Sequence, residues 1–271
     1  MGDLTLGQYF PGESVIHRMD PRMKLILSLF FLVLIFQADS GISYLLTVCF
    51  LVAVMRLSCV PLRMYLKSLK PVWFVVVFIA LINLFSYPEN PIVSFWIVKI
   101  SLAGILSAVR MALRIVLLML STSILTYTTS PVLIAGGLEG LLSPLAKIGV
   151  PVRDFSMMLT TALRFIPTLA DETGKIINAQ KARGADFETG GLIKRARAVV
   201  PVIIPLFVSC FRHADELAEA MQCRCYGNTQ NKRTRYIVYR LRGLDFAAFG
   251  ITAAVLVGVI LLRNIRIAGL V

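Results

Sequence analysis

Five apolar runs, the last of them preceded by a long amphipathic insert, confine this chain to a membrane-embedded helical fold. The runs are Leu25–Phe36, Tyr44–Met55, Pro71–Ser86, one within Ser101–Thr128, and Phe246–Leu262. With 57% hydrophobic residues, the 271-residue chain is too apolar for a soluble globular domain. The first two runs are short against the ~20 residues that cross a bilayer, so we expect a helical hairpin that recruits flanking residues. The sequence predicts an all-α membrane protein with about five transmembrane helices.

Basic residues mark one side of the membrane. They flank the first run and crowd the loop between the second and third runs: Arg18, Arg22, Lys24, Arg56, Arg63, Lys67 and Lys70. The opposite turns hold only Asp39, Glu89 and Lys99. By the positive-inside rule, the N-terminus and the stretch 129–242 are cytoplasmic. The predicted domains are a four-span membrane part (1–128), a cytoplasmic insert (129–242) and a last transmembrane helix (243–271).

Two arginines complicate the fourth run. Arg110 and Arg114 lie four residues apart and share one helix face. If the true span is Met111–Thr128, both side chains reach the outer interface. The alternative is a buried charge site in the protein interior, and the sequence leaves both open.

The insert is predicted to contain two amphipathic helices. Apolar residues recur at helical spacing in both: Leu159, Leu163, Ile166, Ala170, Thr173 and Ile177, then Ile203, Phe207, Cys210, Ala214, Leu217 and Met221. Gly190 and Gly191 provide a turn between them, and Pro167, Pro201 and Pro205 predict kinks or breaks. We expect the helices to pack on each other. The residues assigned either to that packing or to a membrane partner are Leu163, Ile166, Phe207, Phe211, Leu217 and Met221.

Each predicted helix of the insert ends in an arginine between small residues. The first ends in Ala182-Arg183-Gly184 and the second in Cys223-Arg224-Cys225. A cation at a helix C-terminus is favourable by a few tenths of a kcal/mol, and Gly184 is a natural cap, so capping alone explains one such end. Two equivalent ends are better explained by docking, in which a planar guanidinium binds carboxylates or carbonyls in a partner's groove.

Several other classes of protein are disfavoured. The formal charge of +13 does not indicate nucleic acid, because apolar runs separate the basic residues and no stacking aromatics lie among them. Cys223 and Cys225 fall short of a zinc site, with only His213 nearby. The chain lacks a phosphate-binding Gly-x4-Gly-Lys-Ser/Thr loop, and its apolar runs hold no acidic relay. We therefore expect no catalysis, no metal and no cofactor of its own.

Four groups of motifs carry a family resemblance. They are Pro11-Gly12-Glu13-Ser14 with Asp20-Pro21-Arg22, Thr128-Thr129-Ser130-Pro131, Arg164-Phe165-Ile166-Pro167 and Ala182-Arg183-Gly184. Together they resemble the T component of energy-coupling factor transporters over nearly the whole chain. The resemblance implies that Arg183 and Arg224 each end a coupling helix and enter a groove of one ATPase subunit. Cys225 departs from the family pattern, because it stands where glycine is expected and lacks glycine's freedom at positive φ.

The resemblance also implies a function. The chain would be a subunit of an importer in the bacterial cell membrane, transmitting the motion of two ATP-binding cassette ATPases to a substrate-binding S component. The ATPases would bind ATP and magnesium, and the cargo would be a micronutrient, of the vitamin-linked type rather than cobalt or nickel. The residues alone leave open a membrane scaffold or a stand-alone secondary carrier. A carrier would usually show an internal repeat and broken helices at midplane, which this sequence lacks.

Overall fold

The computed structural model describes residues 9–86, 91–95, 98–187, 191–226 and 241–269. These residues are predominantly helical, which confirms the predicted all-α membrane class. The helices are α1 (Pro21–Gln37), α2 (Gly41–Ser58), α3 (Leu62–Leu69), α4 (Trp73–Ser86), α5 (Leu102–Thr128), α6 (Pro131–Leu142), α7 (Val152–Ala182), α8 (Leu192–Cys223) and α9 (Gly243–Gly269). Short 3₁₀ turns follow α3 at Lys70–Val72 and α6 at Ser143–Ile148.

A small β-hairpin departs from the predicted class. Strands β1 (Pro91–Phe95) and β2 (Val98–Ser101) pair antiparallel, with Phe95 opposite Val98. The sequence indicated only a break near Pro91. The β-branched residues Ile92, Val93, Val98 and Ile100 favour extended backbone, and this signal was missed.

The number of candidate spans also differs from the prediction. Six stretches of the described chain are long and apolar enough to cross a membrane: Gly41–Ser58, Leu62–Asn83, Gly104–Thr128, Pro131–Ile148, Arg197–Cys223 and Gly243–Arg263. Two of them, 131–148 and 197–223, lie in the stretch predicted to be cytoplasmic. The first predicted run instead forms α1, whose 17 residues fall just short of the 18-residue length of the shortest candidates. Length and hydropathy therefore allow 131–148 and 197–223 to cross a membrane, and the cytoplasmic location of 129–242 remains a prediction.

The described chain forms two compact units. The first contains α1–α6, the β-hairpin and α9, and we call it the seven-helix unit. We call the second, with α7 and α8, the two-helix unit. The division into domains at residues 128 and 242 remains a prediction.

The core of the seven-helix unit lies where α1, α2, α5 and α9 meet. Its side chains are at most 8% exposed: Phe31, Leu34, Ile35, Tyr44, Leu51, Leu117, Ile124, Tyr127 and Val259. A hydrogen bond joins α3 to this core: the Tyr127 hydroxyl of α5 donates to the Met64 carbonyl of α3 over 3.1 Å. Close packing at native density holds the helices, because the hydrophobic effect between helices is weak inside lipid.

The two arginines of the fourth run lie in different surroundings. Arg114 is partly buried and its guanidinium lies 3.3 Å from the Asp39 carboxylate and 3.2 Å from the Ala38 carbonyl, in the turn between α1 and α2. Arg110 is exposed and donates to the Leu106 carbonyl of its own helix. The two residues therefore do not share one role. Arg114 is an ion-paired residue that ties α5 to the α1–α2 turn.

Candidate functional site

Helices α7 and α8 form the two-helix unit and run antiparallel. The Phe165 ring stacks on the His213 ring, with centroids 6.0 Å apart. Farther along α7, the Gln180 amide donates to the Pro201 carbonyl near the start of α8 over 3.3 Å. Residues later in α7 thus contact residues earlier in α8. The C-terminus of each helix therefore lies beside the N-terminal part of the other.

A polar cluster at the middle of this pair links the two helices. Glu172 of α7 accepts a hydrogen bond from the Ser209 hydroxyl of α8, and its other oxygen lies 3.6 Å from His213 Nε2. His213 Nδ1 lies 3.8 Å from Glu216. These residues lie outside the predicted apolar stripes. The helices do contact each other, but part of the contact is polar, and a search for apolar periodicity cannot find it.

Both helices continue through their prolines. Helix α7 contains Pro167, and α8 contains Pro201 and Pro205, without interruption of either helix. Of the predicted kinks or breaks, the breaks are therefore wrong, and the kinks remain a prediction. The helices have 31 and 32 residues, so each is about 45–50 Å long.

The end of α7 is a Schellman cap around Arg183. Gly184 has φ 87°, the left-handed conformation that glycine adopts without strain. The Gly184 N–H donates to the Lys181 carbonyl over 3.0 Å, and the Ala185 N–H donates to the Gln180 carbonyl over 3.0 Å. These two bonds satisfy carbonyls that the helix leaves without partners, and they place Arg183 at the last helical turn.

The end of α8 has the same geometry around Arg224. Cys225 takes the left-handed position with φ 54°. Its N–H donates to the Gln222 carbonyl over 2.8 Å, and the Tyr226 N–H donates to the Met221 carbonyl over 2.9 Å. The Cys225 replacement thus keeps the cap. A residue with a Cβ in this conformation costs roughly 1–2 kcal/mol relative to ordinary helical backbone, so the cap is kept against an intrinsic preference.

The two arginine ends are equivalent, exposed and far apart. All six residues assigned to docking are exposed: Ala182, Arg183, Gly184, Cys223, Arg224 and Cys225. Because α7 and α8 are antiparallel, their C-terminal ends point in opposite directions along the pair. The unit therefore presents one guanidinium near each of its ends, tens of ångströms apart.

Helix α8 also presents an apolar face. Its exposed side chains are Val199, Val200, Ile203, Ile204, Phe207, Val208 and Phe211. Phe207 and Phe211 are 62% and 57% exposed and contact each other edge to face. These two side chains therefore do not hold α7 and α8 together. Of the other residues assigned to packing or capture, Ile166 is exposed, and Leu163, Leu217 and Met221 are partly buried.

In the seven-helix unit, the N-terminal motif is fastened to the end of α5. Phe10 donates its N–H to the Tyr127 carbonyl over 3.0 Å. His17 Nε2 donates to the Phe10 carbonyl over 3.0 Å, and His17 Nδ1 lies 2.6 Å from the Ser14 hydroxyl. Ser14 is buried. This motif is therefore a folded segment with a structural role.

A buried lysine and a buried aspartate join this segment to three helix ends. Lys24 of α1 donates to the Thr128 carbonyl over 3.1 Å and to the Thr129 hydroxyl over 3.2 Å. The Asp245 carboxylate, in the first turn of α9, accepts from the Asp20 N–H over 3.1 Å and from the Arg242 N–H over 2.7 Å. We call these contacts the polar junction. Sequence reasoning used Lys24 only as a marker of membrane orientation and missed Asp245, although an acid next to the last apolar run was a visible signal.

These features define a class of protein: a multi-pass membrane protein that carries a long helix pair with an exposed arginine at each end. Comparison with known proteins identifies the family. Residues 12–236 match the family model described as "Cobalt transport protein". The energy-coupling factor transporter transmembrane protein EcfT of Ruminiclostridium cellulolyticum is 46% identical over 97% of this chain and 98% of its own length. The EcfT proteins of Acidaminococcus fermentans and Thermosediminibacter oceani are 45% and 43% identical, over 88% and 98% of this chain and 89% and 100% of their own lengths.

The chain belongs to the EcfT family, the transmembrane components of energy-coupling factor transporters. The resemblance that its motifs indicated is confirmed. The chain is thus a multi-pass membrane protein and a component of a transporter complex.

Proposed function

We propose that this chain couples two ATP-binding cassette ATPases to a substrate-binding S component, and that Arg183 and Arg224 are its ATPase contacts. The observation that carries the proposal is the repeated cap: two long antiparallel helices end in the same geometry, and each presents one exposed arginine. Two ATPase subunits need two equivalent contacts, and this helix pair has one at each end.

The chemistry of arginine suits such a contact. Its planar guanidinium makes two parallel hydrogen bonds to a carboxylate or to carbonyls, and it keeps its charge at any physiological pH. The residue after each arginine has a positive φ and ends the helix there, and each arginine is exposed at that end. A rigid helix about 45 Å long then transmits a displacement of its end to the rest of the pair.

The apolar face of α8 is the surface we assign to the S component. A contiguous apolar patch of this kind is typical of an interaction site. The exposure of Phe207 and Phe211 supports capture over packing between the two helices. The chain itself would remain non-catalytic, with ATP and magnesium bound by the ATPases.

The proposed cargo is a vitamin. The Ala182-Arg183-Gly184 motif, the long insert and the N-terminal Pro-Gly-Glu-Ser segment support the vitamin-linked type over cobalt transport. Purification of the intact complex, followed by identification of its small membrane partners, tests this choice. Recovery of a cobalt-binding partner alone would overturn it, and the absence of stoichiometric ATPases would favour a scaffold or stand-alone carrier.

The decisive experiment replaces the two arginines. Arg183→Ala and Arg224→Ala should each weaken ATPase binding by about 2–5 kcal/mol, because each leaves a partner group without its hydrogen bonds. The double variant should lose the ATPases from the purified complex or hydrolyse ATP without uptake. Arg→Lys variants should keep only part of the binding that the Ala variants lose. The lysine ammonium is a point charge and cannot make the two parallel hydrogen bonds of a planar guanidinium.

The matched control is Arg212→Ala, which removes an exposed arginine from the middle of α8. It should leave ATPase retention and uptake unchanged. If the arginines serve only as helix caps, each loss is a few tenths of a kcal/mol. Uptake at the wild-type rate by the double variant, at normal membrane levels, would overturn the coupling role.

The apolar face is tested separately with Phe207→Asp. A charge at this exposed position should reduce S-component binding and leave ATPase binding intact. Asp replacement of a second exposed residue, Phe155 on α7, is the control for added charge alone. Full S-component retention by a folded Phe207→Asp variant would count against this surface.

The proposed orientation places the N-terminus and the α7–α8 pair in the cytoplasm, following the positive-inside rule. Native Cys223 and Cys225 are exposed and free, so they report on it directly. In cells that produce this chain without its ATPases, which would cover these thiols, a membrane-impermeant thiol reagent should label them only after the cells are permeabilised. Gly41→Cys, in the opposite turn with open space around its Cβ, should be labelled in intact cells. The reverse pattern would invert the topology.

A further inference from the structure

We propose that a cavity inside the seven-helix unit binds one acyl chain of a membrane lipid. The cavity has a volume of about 440 Å³ and is lined by α1, α2, α5 and α9 together with the segment before α1. This volume lies within the range of pockets that hold small ligands. The proposal requires only that the chain is a membrane protein, and not that it couples ATPases.

The floor of the cavity is buried and apolar. Phe31, Leu51 and Ile124 line it and are 6%, 2% and 8% exposed. An apolar cavity of this size does not hold ordered water, which needs polar partners, and it loses packing contacts when it is empty. A hydrocarbon guest restores those contacts without a polar group of its own.

Four of the five polar residues in the lining have already used their hydrogen-bond donors, and the fifth, Ser121, offers a single neutral hydroxyl. The hydroxyls of Ser28, Thr128 and Thr252 donate to carbonyls of their own helices, namely Leu25, Ile124 and Ala248. The Lys24 ammonium donates to three oxygens of the protein. These groups therefore do not select a polar or anionic ligand, and the chemistry of the site favours an alkyl chain.

The rim of the cavity is apolar and exposed. Leu57, Leu244 and Ile251 line the cavity and are 55%, 51% and 57% exposed. An apolar path thus leads from the surface of the unit to the floor. Three of the helices around this path, α2, α5 and α9, contain candidate membrane spans. The medium around such helices is lipid hydrocarbon, which makes an acyl chain the occupant that the surroundings supply.

Photolabelling tests the proposal. The full chain is reconstituted in phosphatidylcholine–phosphatidylglycerol vesicles that contain a phosphatidylcholine with a diazirine near the end of one acyl chain. After irradiation, peptide mass spectrometry locates the adducts. We expect adducts on the floor residues Phe31 and Leu51, which lipid at the outer surface cannot reach. Adducts confined to exposed residues such as Phe74 would overturn the proposal.

Filling the cavity should abolish the floor adducts. Ala248→Phe places a ring on the α9 wall and should remove most of the labelling of Phe31 and Leu51, while labelling of Phe74 stays constant. Ala254→Phe adds the same ring to an exposed position of α9 outside the lining and should change neither. If Ala248→Phe does not reach the membrane, Ala247→Phe on the same wall replaces it. Equal floor labelling in the filled variant and its control would overturn the proposal.

A partner protein is the competing occupant, and the complete transporter distinguishes the two. A photoreactive benzoylphenylalanine at position 57 of the rim should cross-link to lipid in the assembled complex. Quantitative cross-linking to a partner subunit, with no lipid adducts on the floor, would overturn the proposal in favour of a protein contact.

Discussion

The two units of this chain differ in whether they enclose an apolar core. In the seven-helix unit, Leu34, Ile35 and Val259 are completely buried where several helices meet. In the two-helix unit, Ile203 and Phe207 are more than half exposed. The first unit encloses an apolar core, although its outer surface also exposes large apolar side chains such as Trp73 and Phe74. The second leaves a face of α8 uncovered, and a contiguous apolar face of this kind is typical of an interaction site.

The burial of particular charged residues also differs between the units. Lys24 and Asp245 are buried, and their hydrogen bonds join the segment before α1 to the ends of α5 and α9. Arg183 and Arg224 are exposed on helix ends that already have backbone caps. Charge inside the first unit fixes the fold, whereas charge at the ends of the second is available for binding. Substitutions should therefore affect stability in one unit and association in the other.

The largest stability effect is expected at Asp245. Asp245→Ala removes the carboxylate acceptor of two backbone N–H groups, one buried and one partly buried, and a hydrogen bond to a carboxylate contributes about 1.5–3 kcal/mol. We expect a loss of about 3 kcal/mol, measured as a lower unfolding temperature of the detergent-purified protein by circular dichroism. Asp215→Ala, at an exposed position of α8, should stay within about 0.5 kcal/mol of wild type. Equal losses for both variants would remove the contrast between the units.

Local patterns in the sequence predicted the helices but not the contacts that join distant helices. Apolar runs and helical periodicity located α1, α2, α4, α5 and α9 and the two long helices of the insert, because each signal lies within one element. The polar junction joins Asp20 to Asp245, which are far apart in the sequence, and no local pattern encodes that pairing. The β-hairpin and the apolar helix at 131–142 were missed because short runs fit several structures.

The candidate site was predictable only in part. The two Arg-containing ends were visible as repeated short motifs, and the structure places both on helix C-termini. Whether cysteine could occupy the left-handed position could not be decided from residue preferences. The prediction of the contact between α7 and α8 was also incomplete. Glu172, Ser209 and His213 join the two helices by polar contacts, which a search for apolar periodicity does not detect.

A matched pair of isoleucines gives the next largest effect. Ile35→Ala deletes a fully buried side chain in the seven-helix unit, and the lost packing should cost about 2 kcal/mol. The estimate is at the low end because lipid is as apolar as the side chain, so little transfer energy is added. Ile204→Ala, at a position 59% exposed on α8, should cost under about 0.5 kcal/mol. Thermal unfolding of both variants measures the difference, and a costly Ile204→Ala would mean that the apolar face of α8 is already covered within the chain.

The smallest predicted effect is on the stability of the caps of α7 and α8, and it has opposite signs at the two helix ends. At the end of α8, Cys225→Gly should stabilise the cap by about 1 kcal/mol, because glycine adopts φ 54° without the steric cost of a Cβ. At the end of α7, Gly184→Ala should destabilise the cap by about 1 kcal/mol, and since an added Cβ there meets no atom within 4 Å, the cost comes from φ alone. Amide hydrogen exchange of peptides covering 180–185 and 221–226 measures both changes, with protection falling at the first and rising at the second. Gly184 and Cys225 belong to the docking ends, but neither substitution removes a guanidinium, so each should lower ATPase retention less than the loss of an arginine does. If Gly184→Ala greatly reduced ATPase retention without changing amide hydrogen exchange, Gly184 itself would contact the ATPase. The two helix ends would then be equivalent in backbone geometry but not in binding.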